Sequence, residues 1–497
     1  MAMKKILFAS SEVYPLVKTG GLADVSYSLP LALSAKGYDI RVIIPGYPSV
    51  LEQLENPKEV CAIHGFMIPE GSRLLESTLP KSQVPLWIVD CPQFFHRDGG
   101  PYLDSYKQEW PDNAHRFAMF CRAVADVALG NAALEWRPDV VHANDWQTGL
   151  VPALLKLSDD SPASVFTIHN LAYQGNFSKQ IFDELLLPGE WWHLEGLEFY
   201  DKMSFLKAGV VFADQVSTVS PTYAEEILQP AFGYGMDGLL RHYSHKLQGI
   251  LNGVDYDTWS PENDELLKFR YDSKHLDEKI NNKLDLQRKL GLKLSKGAPL
   301  FGIVSRLAHQ KGIDYVIDAI KRTVDEKLQW AILGSGEAEF EAALSQLAQH
   351  YPEKVAFIQG YDEQMAHRIE AGADIFVMAS RYEPCGLNQI YSLKYGTLPL
   401  VRNTGGLADT VVDIEEDALQ AGDATGFVFQ NPSSDELVDT LLRAAAYYRK
   451  KKRWRKAQLN AMSRDFSWDA SADGYGDLFA AALAGNSAES VVEAVTT

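Results

Sequence analysis

Cysteine is sparse in this chain: Cys61, Cys91, Cys121 and Cys385 stand far apart among 497 residues, with no Cys-x-x-Cys pair and no zinc-ligand spacing. A disulfide framework and a structural zinc module are both excluded, and reduced, cytoplasmic surroundings are expected. No apolar run approaches the roughly 18 residues of a membrane span. The first run, Ile6 to Ala9, is too short for a secretion signal and has no Arg/Ser-rich leader before it, so it reads as a first strand. Cations are outnumbered, 47 Lys and Arg against 66 Asp and Glu, for a formal charge of −19. That balance disfavours nucleic acid and anionic membranes as partners. The local exception, Arg449-Lys450-Lys451-Lys452-Arg453-Trp454-Arg455-Lys456, reads as a solvated face near a helix end.

What is present is ordinary globular material, 46% hydrophobic and 23% charged, enough for two or three domains at roughly 100–200 residues each. Short apolar runs alternate with stretches of helical period: Lys5–Ala9, Ile40–Ile44, Leu86–Val89, Val140–His142, Ser164–Ile168 and Gln215–Val219 read as buried strands. The pattern pauses at Asn252-Gly253-Val254-Asp255, passes Trp259-Ser260-Pro261 and enters a charged stretch from Asp264 to Lys296, where a hinge is expected. It resumes with Leu300–Ser305, Gln329–Leu333, Val355–Ile358, Asp374–Met378 and Leu398–Val401, separated by helical stretches such as Ile313–Arg322 and Glu337–Gln349. The expected fold class is α/β, two doubly wound domains facing across a cleft, with ligands beyond the carboxyl ends of parallel strands. The domains are expected over 1–252 and 253–465, with a last helix over 466–484 and a frayed tail over 485–497.

A hexapeptide occurs twice, as Thr19-Gly20-Gly21-Leu22-Ala23-Asp24 and Thr404-Gly405-Gly406-Leu407-Ala408-Asp409. Each copy follows a strand and opens a helical stretch, where paired glycines let a ligand approach the backbone and unpaired N–H groups favour anions. A structural tight turn is the alternative for either copy. Lys18 precedes the first copy, a phosphate-binding arrangement that is neither a P-loop nor the dinucleotide G-x-G-x-x-G. Gly334-Ser335-Gly336 has Glu339 where the third glycine of the latter should fall, which counts against a nicotinamide enzyme.

Arg306 and Lys311 follow the first strand of the second series, and two cations there suit a diphosphate. Glu383, in Ser380-Arg381-Tyr382-Glu383-Pro384-Cys385-Gly386, precedes a Pro-x-Gly turn that opens a helix. It can accept sugar hydroxyl hydrogens or stabilise positive charge while N–H groups from Gly386 onward face an anion. His169-Asn170 and His142-Ala143-Asn144-Asp145-Trp146 end two successive strands and project polar groups at one sheet edge. His242 and His245 have metal-ligand spacing but no neighbouring carboxylate or cysteine cluster, and read as structural.

Taken together, Lys18 to Val25, Thr167 to Gly175, Ile250 to Asp255, Ser305-Arg306 with Lys311-Gly312, and Glu383 to Leu387 resemble the starch and glycogen synthase family, in family order from about Lys4 to Leu483. The resemblance implies a glycosyltransferase of twin Rossmann-like domains, the GT-B type. It implies transfer of glucose from ADP-glucose to the non-reducing end of glycogen or another α-1,4-glucan with retained configuration, with no cofactor and no catalytic metal. It implies that the helix near Trp468 to Leu483 crosses back to the N-terminal domain. Position by position, Lys18, Arg306 and Lys311 would neutralise the departing diphosphate, with Gly20 and Gly21 supplying N–H groups. Glu383 with the backbone of Cys385, Gly386 and Leu387 would hold the glucose hydroxyls, His169 would contact the sugar and Asn252 would lie near it. Tyr361 would stack on the adenine, and Asp24, Tyr102 and Asp145 would lie near the acceptor glucan.

The sequence departs from the family pattern at Asn144, where His is usual, at Gln147, where His is common, and at Asn388, where Thr is usual; these bear on acceptor handling and donor selectivity. Two other readings stand beside this one: a glucan phosphorylase, which requires a lysine-bound pyridoxal phosphate, and a catalytically silent glucan-binding paralogue. Retention of Lys18, Arg306, Lys311 and Glu383 together argues against the silent form, since glucan binding alone needs no diphosphate clamp. Oligomeric state is left open.

Overall fold

The computed structural model describes residues 3–132 and 134–496, with side chains as far as Gly485. The expected tail beyond Gly485 therefore lies outside the described side chains, and Thr497 outside the described residues. The chain divides into two compact units, Met1–Gly253 with Trp468–Thr497, and Val254–Ser467.

The first unit carries β1 (Lys5–Ala9), β2 (Asp39–Pro45), β3 (Lys58–Ala62), β4 (Arg73–Thr78), β5 (Pro85–Asp90), β6 (Val140–Asn144) and β7 (Ala163–Ile168). A small three-stranded sheet of β8 (Asn176–Ser178), β9 (Glu198–Phe199) and β10 (Lys202–Ser204) follows, before β11 (Gln215–Thr218) and β12 (Leu247–Gly249) return to the main sheet. That sheet runs in the order β12-β11-β7-β6-β1-β2-β5-β4-β3. Its centre is parallel, and β4 pairs antiparallel with both β5 and β3. Ile6, Leu7, Phe8 and Ala9 of β1 are all fully buried, as expected of a strand covered on both faces, and this is why it reads as an apolar run and not an alternation. The edge strand β3 is exposed along Lys58, Glu59 and Val60, so it has no apolar run for sequence inspection to find.

The second unit carries β13 (Leu300–Leu307), β14 (Gln329–Gly336), β15 (Val355–Gln359), β16 (Ile375–Met378), β17 (Leu398–Arg402) and β18 (Phe427–Phe429), ordered β15-β14-β13-β16-β17-β18 and parallel throughout. Asp374 pins the amino ends of β13 and β16: its Oδ2 accepts the Leu300 N–H at 2.8 Å and the buried Lys283 ammonium at 2.6 Å. Helices Ile313–Thr323 and Ala338–His350 lie within a residue of the stretches expected for them. In the basic run, Trp454 is buried while Arg453 pairs with Glu416 at 2.9 Å and Arg455 with Asp277 at 2.5 Å.

The last helix, Trp468–Thr496, belongs to the first unit. Trp468, Ala472, Tyr475, Leu478, Phe479 and Ala482 enter that unit's core, with Tyr475 and Phe479 against the His142 ring at 5.3 and 5.7 Å. Among the described residues no helix is long and apolar enough to cross a membrane.

Candidate active site

Each main sheet has one point where the strand order reverses. In the first unit β1 leads to β2 on one side, while β6 lies on the other. In the second, β13 leads to β14 on one side, with β16 on the other. Loops that leave adjacent parallel strands in opposite directions open a crevice at their carboxyl ends, and ligands bind there. Most of the residues expected to do chemistry gather at these two points; Asn252, after the edge strand β12, and Tyr361, after the edge strand β15, do not.

In the first unit, β1 runs into buried Ser10, Ser11 and Glu12. Glu12 Oε2 accepts the N–H groups of Thr19 and, at 3.3 Å, Gly20, and its Oε1 accepts the Tyr102 hydroxyl at 2.5 Å. The Gly20 N–H, expected to meet a phosphate, is thus held by an internal carboxylate. Burial raises the Glu12 pKa above the ordinary carboxylate value, although the Tyr102, Thr19 and Gly20 donors oppose the rise. Tyr102 also lies 2.7 Å from Ser11 Oγ. Helix Gly21–Ala35 begins directly after this loop, and Lys18 Nζ reaches into its first turn to pair with Asp24 at 2.7 Å. Sequence reasoning left Glu12 unassigned; the signal available was a carboxylate three residues past a strand's carboxyl end.

Beside it, β6 ends in Asn144, whose Nδ2 donates to Ala9 O of β1 at 3.1 Å. With that amide donating, Asn144 Oδ1 is the acceptor for His169 Nε2 at 2.9 Å. Burial pushes the His169 pKa down to about 3, so the ring is neutral, carries its proton on Nε2 and offers Nδ1 as an acceptor. The departure at Asn144 therefore sets the tautomer of His169. Asp145 has φ 58° and ψ 178°, a backbone region that side chains rarely enter and that costs about 1–3 kcal/mol. Its N–H donates to Thr167 O at 2.9 Å, and its Oδ1 accepts the His169 N–H at 2.8 Å. Loss of hydration pushes the Asp145 carboxyl up to about 7, against the His169 and Asn170 N–H groups that favour its charged form. Asn252 is buried, and its Oδ1 has no hydrogen-bond partner among the described residues.

In the second unit, Arg306 lies near the carboxyl end of β13 and donates to Gln310 Oε1 at 3.3 Å. Lys311 follows in the turn before helix Ile313–Thr323 and donates to Glu383 Oε2 at 2.6 Å, an oxygen that also accepts the Ser380 hydroxyl at 2.9 Å. Glu383 is buried and comes from the loop after β16, so the ion pair spans the reversal point of the sheet. The two loops approach closely at Gly312, where a Cβ would stand 2.1 Å from Ala379 O. Arg381 grips Asp314 through both terminal nitrogens, at 2.8 and 2.7 Å, and braces the same junction. Buried Cys385 leads through Gly386 and Leu387 into helix Asn388–Lys394, and the Asn388 amide donates to Val304 O at 2.7 Å, tying this turn to β13. Tyr361 stands exposed just after β15.

The two copies of the hexapeptide have parted roles. Around Gly20 a Cβ would meet nothing within 4 Å. In the second copy a Cβ on Gly405 would lie 2.0 Å from Glu383 O and one on Gly406 2.1 Å from Cys385 O, while the Gly406 N–H donates to Glu383 O at 3.1 Å. The second copy is the structural turn, and what it clamps is the backbone of the Glu383 loop.

Comparison with known proteins agrees across both units. Residues 5–242 match the starch synthase catalytic domain family and residues 287–460 the glycosyl transferases group 1 family. The chain is 50% identical over 477 residues to glycogen synthase of Thioalkalivibrio sulfidiphilus, covering 96% of this chain and 99% of that one. It is 49% identical over 477 residues to glycogen synthase 2 of Nitrosococcus oceani, covering 96% and 97%. The catalytic domain of starch synthase IV from Arabidopsis thaliana, solved with ADP and acarbose bound, superposes with a TM-score of 0.87 at 31% identity over 97% of this chain and 100% of that one.

Proposed function

The chain belongs to the starch and glycogen synthase family of GT-B glycosyltransferases, and from that premise we propose that it transfers the glucosyl group of ADP-glucose to the non-reducing end of an α-1,4-glucan with retention of configuration. The observation that carries this reading is the Lys311–Glu383 contact, 2.6 Å across the reversal point of the second sheet with Arg306 on the adjoining strand end. A cation shared between a buried carboxylate and an incoming diphosphate is suited to a reaction in which negative charge grows on the leaving phosphate. Arg306 and Lys311, with Lys18 as a further cation, neutralise that charge. Glu383 accepts glucose hydroxyls and stabilises the positive charge that develops at the anomeric carbon. Tyr361 stacks on the base.

In the first unit, neutral His169 accepts a sugar hydroxyl through Nδ1, and Asp24, Tyr102 and Asp145 serve the acceptor glucan. Retention proceeds on the front face, the departing phosphate taking the proton of the incoming hydroxyl while the charge clamp holds both in register. A glycosyl adduct trapped on a protein side chain would contradict this route. The family assignment replaces the phosphorylase reading. A silent glucan-binding paralogue is separated by experiment: incorporation of labelled glucose into glycogen is measured from ADP-glucose and from UDP-glucose, with Lys18→Ala and Glu383→Ala as controls. Incorporation from ADP-glucose that both variants lose supports the assignment; no incorporation from either donor, with glucan binding intact, overturns it.

A further inference from the structure

Two ring contacts in the second unit bear on the donor turns without belonging to them. Trp259 lies face to face between His367 and Tyr391, with ring centroids 3.8 Å apart and planes 16° apart on one side, and 3.9 Å and 2° on the other. His367 sits on helix Glu363–Gly372, which starts just past Tyr361 and is capped by the Asp362 carboxylate accepting the Met365 N–H at 2.9 Å. Tyr391 sits on helix Asn388–Lys394, which starts directly after Cys385-Gly386-Leu387. One indole therefore spaces the helix that begins at the base-stacking residue from the helix that begins at the sugar-holding turn.

Asp264 bridges the same two helices a second time. Its Oδ2 accepts the Tyr395 hydroxyl at 2.5 Å, at the end of the second helix, and lies 2.8 Å from His367 Nδ1 on the first. All three residues are buried. The segment between is held by its own backbone, with the Trp259 N–H donating to Asp255 O at 2.9 Å and the Asp264 N–H to Ser260 O at 3.0 Å.

We propose that Trp259 to Asp264 form a strut that sets the spacing of these two helices, which makes Trp259 and Asp264 positioning residues for the donor. The proposal rests on the donor assignment above. A nucleotide sugar has two ends to satisfy at once: with the spacing rigid, a base on Tyr361 and a glucose at the Glu383 turn are both in register. If the spacing slackens, the base stays bound while the sugar drifts, and misplacement of about 1 Å is enough to cost on the order of 10²-fold in rate. ADP carries no sugar for the Glu383 turn to hold, so its affinity should depend on the strut far less than turnover does.

The test uses the full-length enzyme with Trp259→Leu, Tyr391→Leu, their double variant, Trp259→Phe and Asp264→Asn, reading turnover from ADP-glucose and, separately, the Kd for ADP. Trp259→Leu and Tyr391→Leu should each lower turnover about tenfold or more with the ADP Kd changed by no more than about twofold. The double variant should be no more than about twofold below the worse single, because the Trp259–Tyr391 stack is already lost in either single variant. Trp259→Phe, which keeps an aromatic face, should recover most of the turnover. Unchanged turnover in Trp259→Leu, multiplicative loss in the double variant, or ADP affinity falling in step with turnover would each overturn the strut. If Trp259→Leu fails to fold, Asp264→Asn decides: lost turnover with ADP binding kept supports the proposal, and unchanged turnover defeats it. An unsubstituted enzyme that transfers no glucose would instead sink the donor assignment.

Discussion

Lys311→Ala separates two roles of one ammonium, the ion pair with Glu383 and the proposed neutralisation of the leaving diphosphate. Lys311 Nζ is 2.6 Å from Glu383 Oε2, and the two side chains are 20% and 7% exposed. Removing the ammonium leaves the carboxylate with the Ser380 hydroxyl at 2.9 Å. Breaking a buried pair from one side costs about 3–5 kcal/mol, and screening of the partly exposed lysine lowers this to about 2–3 kcal/mol. The same cation is assigned to the leaving diphosphate, and loss of one preorganised charge there should slow turnover by roughly 10²–10³. A second substitution tells the two apart. Adding Glu383→Gln removes the stranded charge while keeping an oxygen for Ser380, so most of the lost stability should return. Turnover should fall further, because the sugar has then lost its carboxylate as well. Calorimetric unfolding and initial rates of glucose incorporation give the two readouts. A double variant no more stable than Lys311→Ala would refute the ion-pair reasoning, and a Lys311→Ala enzyme within about tenfold of the parent in turnover would refute the clamp.

Other outcomes follow from single contacts. Arg306→Ala should depress turnover far more than it weakens glucan binding measured by co-sedimentation, and equal loss of both would contradict its assignment to the donor. The Asp145 carboxyl, pushed up to about 7 in the folded chain, is ionised less readily there than when unfolded, so stability falls as pH rises from about 4 to 7 and is level above that. Asp145→Asn should therefore raise the melting temperature at pH 8 and leave it nearly unchanged at pH 4; the reverse pattern would show that the carboxyl is not disfavoured by its surroundings. Gly405→Ala puts a methyl 2.0 Å from Glu383 O, whereas Gly20→Ala meets open space. The first should lower both the melting temperature and turnover while the second leaves the melting temperature alone, and equal melting temperatures would undo the distinction drawn between the two copies.

Much of the fold was legible because parallel strands buried on both faces must be apolar along their whole length. β1, β2, β5, β7 and β13 to β17 carry apolar runs of this kind, β6 and β11 were legible from shorter ones that His142, Gln215 and Ser217 interrupt, and Trp468 starts its helix as expected. The edge hairpin of β3 and β4, the small sheet of β8 to β10, and the short strands β12 and β18 escaped, since exposed or three-residue strands carry no such run. Among the site residues, Lys18, Arg306, Lys311 and Glu383 were marked by residue type and by position after strands. Their partners were not: Lys311 sits on Glu383 from a loop 72 residues away, and Lys18 sits on Asp24 and Glu12 holds the Thr19 and Gly20 N–H groups only through the particular path of the loop after β1.

The repeated hexapeptide draws the boundary most clearly. Its six residues are identical in both places, so local propensity is the same, yet one copy starts a helix of 15 residues with open space at Gly20 and the other a helix of 6 residues packed on the Glu383 loop. Sequence by itself determined the class of the fold, the cations and carboxylate available to a sugar diphosphate, and the family. Tertiary structure alone decided which glycine of the repeated motif faces open space and which meets a carbonyl, which tautomer His169 holds, and that Trp259 stands between two helices. Those outcomes depend on what lies across the space a side chain enters, which residues distant in the chain supply only once it has folded.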